Sequence, residues 1–277
     1  MTRYFNRKVI LQLDDVSYED YRIQFSITRT VSGEPNAARI SIWGLSRETA
    51  SNMAFRSRDL RVRLLAGYQD GDQQPSLLFE GNPVDEGLVF EREGAERILR
   101  IQAQDGIRRY QTARVNVAFE AGTTYRQIVE EVVRQMGLPQ TTIQTDDPAF
   151  DEVVESGVCY ASRATRVLDS LAQTLRSDWS IQDGKLQFIQ KNRTRLERGP
   201  RFSPELNNII NDPKPRDGGL DVTVFLTPMI PGDRFIVEGT ADPRWNGLFR
   251  AVSVQHRGDS GWANEFYTTI EGRPLPT

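Results

Sequence analysis

The chain carries one cysteine and one histidine in 277 residues. Cys159 has no partner for an internal disulfide, so the expectation is a chain that folds in a reducing cytoplasm. Zinc sites of the ordinary type take three or four Cys, His or carboxylate ligands, and one His with one Cys does not assemble such a set. No apolar run approaches the ~20 residues needed to cross a bilayer. The opening MTRYFNRKVILQLDD lacks the apolar stretch of a secretory leader. Charge of one sign is also lacking: 35 Lys and Arg stand against 38 Asp and Glu, a net of −3 that gives no overall attraction to nucleic acid. No phosphate-cradling glycine loop precedes a helical pattern. What is present, 38% hydrophobic and 26% charged residues, describes a globular chain long enough for one large domain or two to three small ones.

One stretch has the look of chemistry. HRGDSGW, from His256 to Trp262, contains the Gly-Asp-Ser-Gly that surrounds the nucleophile of trypsin-like proteases, and an Arg-Gly-Asp adhesion tripeptide. A serine nucleophile needs a base within hydrogen-bond reach, oriented by a buried carboxylate. The only histidine lies four residues away on the same strand pattern, and Trp262 stands where the protease pattern has glycine. Gly258, Asp259, Ser260 and Gly261 are turn residues, so the stretch reads as a solvated corner with no catalytic residue. The acidic cluster Asp146, Asp147, Asp151 and Glu152 lacks the alternating spacing of a calcium loop and is broken by Pro148. It reads as a solvated loop. No metal, cofactor or small-molecule substrate is expected. Cys159, at the entrance of a helical pattern, reads as a small packed side chain rather than a nucleophile.

The first hundred residues alternate. Ile23, Phe25 and Ile27 interleave with polar residues, a turn follows at Ser32-Gly33-Glu34-Pro35-Asn36, and Ile40 and Ile42 resume the period of a half-buried strand. Ser46 caps a short helix pattern through Met53, and strand patterns return at Arg61–Leu65, Leu77–Phe79, Gly87–Phe90 and Ile98–Ala103. The period then changes to that of a helix. Tyr125, Ile128, Val129, Val132, Val133 and Met136 share one face, with Thr124 and Gln127 as a capping box and Gly137 as the stop. A second helix repeats the spacing from Ala164 to Leu175, and Asp183-Gly184 turns a hairpin. Asn192 to Gly219 reads as a linker or long loop, with a basic cluster at Lys191, Arg193, Arg195, Arg198 and Arg201. After it, strand patterns recur to Ile270.

Two segments look alike. Leu78-Phe79, Gly81 and Val84 are matched by Leu248-Phe249, Ala251 and Val254, and each segment runs through a glycine-bearing turn into a last strand. The expected fold is therefore mainly β with an α+β insertion: a first β-barrel over residues 1–115, a small α+β domain over 116–195, and a linker with a second barrel over 196–277. Under this scheme strands from earlier in the chain complete the second barrel.

In order, FSITRTVSGEPNAARISIWGLSRETASNM, the Ala-Gly-Tyr ending at Tyr68, Leu78-Phe79-Glu80-Gly81, Ala103-Gln104-Asp105-Gly106, SDWSIQDGKLQFI and GLFRAVSVQHRGDSG resemble the phage tail baseplate hub family, which is related to the hub half of type VI secretion spikes. The resemblance implies two tube-like antiparallel β-barrel domains per chain and a homotrimer of six similar barrels, joining a hexameric tail tube to a trimeric central spike. It implies as partners the tail tube, spike, tape-measure and other baseplate proteins, with DNA passing through the lumen. Location in the virion after assembly in the host cytoplasm follows, as does a spike or lysozyme domain carried by another chain. Loop length alone nominates Ser32, Glu34, Asn36, Asp70, Asp72, Asn207 and Asn208 as subunit contacts. Rival readings are a tail tube-like or distal tail protein, a carbohydrate-binding sandwich, and a cell-wall-degrading enzyme. Only the hub needs two barrels.

Overall fold

Ile23, Phe25, Ile27 and Arg29 line the buried face of a strand whose intervening residues are half exposed, as the period of two requires. The computed structural model describes residues 6–46, 48–49, 60–69, 74–106, 112–138, 148–261 and 265–275. Seven strands come first: β1 (Arg7–Leu13), β2 (Val16–Tyr18), β3 (Ile23–Thr30), β4 (Ala37–Trp43), β5 (Val62–Tyr68), β6 (Ser76–Glu93) and β7 (Glu96–Gln104). The middle holds β8 (Arg114–Phe119), α1 (Tyr125–Gln135), β9 (Val158–Arg163), α2 (Ala164–Thr174), β10 (Ser177–Gln182) and β11 (Lys185–Gln190). The last stretch holds β12 (Arg201–Phe202), β13 (Ile209–Arg216), β14 (Gly219–Phe225), β15 (Arg234–Val237), β16 (Gly247–Asp259) and β17 (Phe266–Pro274).

The pairings repeat. In the first stretch β3 pairs β4, β4 pairs β7, β7 pairs β6 and β6 pairs β5, all antiparallel. In the last, β13 pairs β14, β14 pairs β17, β17 pairs β16 and β16 pairs β15, again antiparallel. The strand orders 3-4-7-6-5 and 13-14-17-16-15 are one topology used twice. The copies diverge past the fifth strand, where β5 takes β1 antiparallel but β15 takes the two-residue β12 parallel.

Separate closed barrels are not seen among the described residues. The strands instead form one 13-stranded sheet, because β3 of the first copy lies antiparallel on β16 of the second, from Thr30 opposite Ser253 to Gln24 opposite Asp259. That pairing spans more than two hundred residues of sequence, beyond the reach of local pattern. Leu77–Phe79 and Gly87–Phe90, expected as two strands, are one strand. A bulge between Pro83 and Leu88 lets β6 pair β5 with its first half and β7 with its second. Three apolar clusters form among the described residues. One is built around Ile23, Phe25, Ile40, Leu64 and Phe79, a second around Val129, Val132, Leu168, Leu171 and Phe188, and a third around Val222, Phe235, Val254 and Ile270.

The helices follow their sequence signals. Thr124 Oγ1 accepts from the Gln127 amide at 3.3 Å while Gln127 Oε1 accepts from the Thr124 amide at 3.0 Å, closing the capping box of α1. Asp183 and Gly184, at φ of 52° and 76°, supply the turn joining β10 to β11. Other expectations change. Cys159 is exposed on β9, which among the described residues pairs only with β8, as a two-stranded ribbon that turns the thiol outward. The expected linker contains β12 and β13. The Ser46–Met53 helix is described only at its start, where Ser46 Oγ accepts from the Thr49 amide at 3.1 Å. The rest, with Asp70, Asp72, Asp146, Asp147 and Trp262, lies outside the described residues.

Candidate functional site

The polar side chains that sequence patterning would put on the surface converge at a junction. Arg29 on β3 is 1% exposed and makes a two-pronged ion pair with Asp183 at the tip of the β10–β11 hairpin. Beside it Asp105, just past β7, accepts from the Gly184 amide at 3.1 Å. Burial, and then the neighbouring Asp183 charge, push the Asp105 carboxyl up to about 7, against the opposing pull of Arg29. Asn36 donates to the Ile181 carbonyl (2.8 Å) and to Gln182 Oε1 (2.9 Å), and accepts from the Thr30 amide (3.2 Å). The Trp179 indole closes over Gly33, where a Cβ would lie 2.5 Å from the ring, and its Nε1 donates to Asp169 at 2.8 Å. The Ser32–Asn36 turn is thus a docking point for the hairpin on the first copy.

The second copy grips the same hairpin sheet. Arg250 on β16, 2% exposed, pairs with Asp178 on β10 at 2.9 Å and donates to the Lys191 carbonyl at 3.1 Å. Burial lowers its pKa, with Asp178 opposing. Gln187 donates to the Pro231 carbonyl at 2.7 Å, and Ile189 fills the space over Gly232. The α+β unit is clamped on both sides by charge-assisted contacts, which are stronger than neutral ones.

HRGDSGW is part of this framework. His256 and Asp259 sit within β16, covered by β3, at 1% and 0% exposure rather than at a solvated tip. His256 Nδ1 meets Thr268 Oγ1 at 3.0 Å and Nε2 meets the Met229 carbonyl at 3.2 Å. Burial, with help from Arg29, pushes its pKa down to about 3, so the ring is neutral. Ser260 Oγ accepts from the Ile23 amide at 2.9 Å and donates to the Tyr21 carbonyl at 3.1 Å, and Asp259 pairs with Arg22 at 3.1 Å. Four residues of extended strand put His256 roughly 13 Å from Ser260. The serine ties the end of β16 to the start of β3, and the chain's one histidine is out of its reach.

The nominated contact residues scatter. Ser32 and Glu34 are exposed on the docked turn, and Asn36 is buried with its side chain committed inside the chain. Asn207 is exposed with φ of 50°. Asn208 braces its own loop, accepting from the Ser203 amide at 2.9 Å and donating to the Arg201 carbonyl at 2.7 Å. In the basic cluster, Arg195 is paired to Asp233 at 2.7 Å and Arg201 lies 3.7 Å from Glu238. Trp43 stacks under Arg22, 4.5 Å from the guanidinium, and Trp245 packs on the third cluster. Among the described residues no group of three His, Cys, Asp or Glu is placed to hold a metal ion, and no helix is long and apolar enough to cross a membrane. The residues missed from sequence, Arg29, Asp105, Asp178, Asp183 and Arg250, carried one signal in part: Arg29 holds a core-face position in an otherwise apolar alternation.

This arrangement, a doubled strand topology around a small α+β unit, is the fold of solved phage tail proteins. The 43 kDa tail protein of prophage MuSo2 from Shewanella oneidensis superposes with a TM-score of 0.69 at 10% identity, over 97% of each chain. The tail protein of Neisseria meningitidis MC58 gives 0.69 at 8% identity, over 97% of this chain and 96% of that one. E. coli c3393, a type VI secretion component described as similar in structure to the T4 tail proteins gp27 and gp5, gives 0.62 at 11% identity, over 96% and 77%. No curated protein sequence matches the chain. A family model does: residues 7–272 match baseplate hub gp41, and the chain belongs to that family of structural phage tail proteins. It is a baseplate component and hence associated with the virion.

Proposed function

We propose that the chain is the hub that joins a hexameric tail tube to a trimeric central spike, acting as a homotrimer with six quasi-equivalent β units around a lumen. One observation carries the reading: the strand order 3-4-7-6-5 recurs as 13-14-17-16-15 in the same polypeptide. Three chains with two copies each offer six similar faces to a sixfold tube while keeping a threefold face for a spike. Each unit is built on five shared strands in an open sheet rather than a barrel closed on itself, with β1 and β2 added to the first and β12 to the second, and the ring closes only when neighbours meet. The three apolar clusters support units over residues 1–115, 116–195 and 196–277, cross-linked by the β3–β16 pairing. The α+β unit, held by Arg29 and Arg250, fixes the angle between the two copies.

The partners under this reading are the tail tube, spike, tape-measure and other baseplate proteins, with DNA crossing the lumen during ejection and assembly taking place in the host cytoplasm. The exposed Ser32 and Glu34, with Asn207, and Asp70 and Asp72 beyond the described residues, are contact candidates. The chain works by assembly, not catalysis. Native mass spectrometry of the purified protein tests this reading: a species of three chains is expected, and a monomer at micromolar concentration overturns it.

A further inference from the structure

We propose that neighbouring copies of this chain meet edge to edge, the outer edge of β6 from Leu88 to Glu93 lying antiparallel on the outer edge of β13 from Asn211 to Arg216. The proposal rests on the ring reading above and adds the seam. Its template is inside the chain. The first strand of one copy, β3, lies on the fourth strand of the other, β16. The counterparts of these two strands are β13 and β6. Among the described residues β13 pairs only with β14, and β6 beyond Leu88 pairs only with β7. The chain thus carries one filled seam and the two halves of an equivalent one, facing outward, with β13 irregular between Ile209 and Lys214 where β3 is regular.

The repeat also sets the register. Ile101 and Ile270 correspond, since Leu88 and Ile40 flank the first as Val254 and Val222 flank the second. Leu88 then corresponds to Val254 and Glu91 to Arg257. On the other side Lys214 faces Asp221 as Ser26 faces Arg39, so Lys214 corresponds to Ser26. Arg257 lies opposite Ser26 in the filled seam. Glu91 therefore lies opposite Lys214 of the next copy, and Phe90 opposite its Pro215. Glu91 is paired with Arg100 of its own chain at 2.6 Å, and Lys214 of the next copy brings a second positive charge to it, a favourable cross-strand pair.

Two further observations fit a covered edge. Val89 and Phe90 on β6 are 42% and 37% exposed, and Ile210 on β13 is 41% exposed, an apolar load that free sheet edges ordinarily avoid. The prolines of β13 also select the partner. The two-residue turns at Gly94-Ala95 and Asp217-Gly218 set which residues bond inward. By that alternation Phe90 and Pro215 both point their backbone groups outward. Pro215 offers a carbonyl and no N–H, so β13 pairs poorly with a second β13 but accepts from the Phe90 amide. Self-pairing is disfavoured and head-to-tail pairing, the kind that closes a ring, is retained.

The test uses the full chain with Cys159→Ser, carrying Glu91→Cys and Lys214→Cys. These residues form a non-hydrogen-bonded pair in the template register, with Cα atoms about 4.5 Å apart, within disulfide reach. Oxidation is expected to give a covalent trimer on a non-reducing gel that collapses with reductant, and neither single-cysteine variant should form it. Moving the second cysteine to Arg216 should reduce the yield several-fold. A trimer by mass with no interchain disulfide overturns the seam and leaves the ring; a monomer by mass overturns both. A charge reversal reads the same contact without cysteine: Glu91→Lys should weaken trimer formation roughly tenfold at low salt, and adding Lys214→Glu should restore it. No change on reversal, or no rescue, overturns the register.

Discussion

Replacing Asp105 by Asn should change how stability depends on pH more than it changes stability itself. The carboxyl is 2% exposed, and its pKa of about 7 stands well above the ordinary 3.8 because burial and Asp183 disfavour the charge. A raised folded pKa means the native state holds the proton more tightly than the unfolded chain does. The stability this confers is complete below about pH 4 and is lost as pH rises through 7. A shift of about three units at ~1.4 kcal/mol each gives a loss of about 4 kcal/mol over the whole window. Roughly 3 kcal/mol of that falls between pH 5 and pH 8. Asn keeps an acceptor for the Gly184 amide without the charge, so the variant should escape that loss. Denaturant titrations followed by the fluorescence of Trp179, which packs at this junction, should show Asp105→Asn gaining roughly 3 kcal/mol on the wild type between pH 5 and pH 8. Parallel curves at every pH would refute the assignment of a buried, proton-hungry carboxylate. The wild-type profile itself should be nearly flat from about pH 4.5 to 6.5. His256, with its pKa pushed down to about 3, loses stability as pH falls from about 6.5, opposite in sign to Asp105.

Asp178→Ala should cost about 3 kcal/mol because it leaves the buried Arg250 charge unpaired, whereas Arg250→Met should cost much less; equal losses would contradict the asymmetry. Asn36→Ala removes the partner of two buried acceptors and should destabilise by about 1–3 kcal/mol without altering the mass of the assembled particle, and an altered mass would mean that Asn36 acts between chains. A fluorophosphonate probe should leave Ser260 unlabelled, since its hydroxyl proton is donated to the Tyr21 carbonyl and one lone pair accepts from the Ile23 amide, with the one histidine buried along the strand; labelling would reopen the enzymatic reading.

Where a signal is local, the sequence carried it. The alternation at Ile23–Ile27, the two apolar helix faces, the Thr124–Gln127 box and the Asp183-Gly184 turn each depend on neighbours a few residues away, and each is found in place. The likeness of Leu78-Phe79 to Leu248-Phe249 pointed to β6 and β16, which hold the same place in both copies, but its residue match was out of register: the bulge in β6 puts Leu88, not Val84, where Val254 stands. Strands fixed by distant partners were illegible. β1 and β9 have no clean polar-apolar period bounded by turns. The covering of His256 and Asp259 by β3 joins residues over two hundred positions apart. The junction was hidden for a related reason: Arg29 and Arg250 are buried only because Asp183 and Asp178 arrive from another unit, and nothing adjacent in sequence announces a salt bridge.

End-on electron-microscope images of the purified particle bear most directly on the doubled topology as an adaptor between symmetries. Averaging without imposed symmetry should show a threefold ring whose rotational spectrum has a strong sixfold component from six similar lobes. A ring of three lobes with no sixfold component, or particles with no ring, would contradict it.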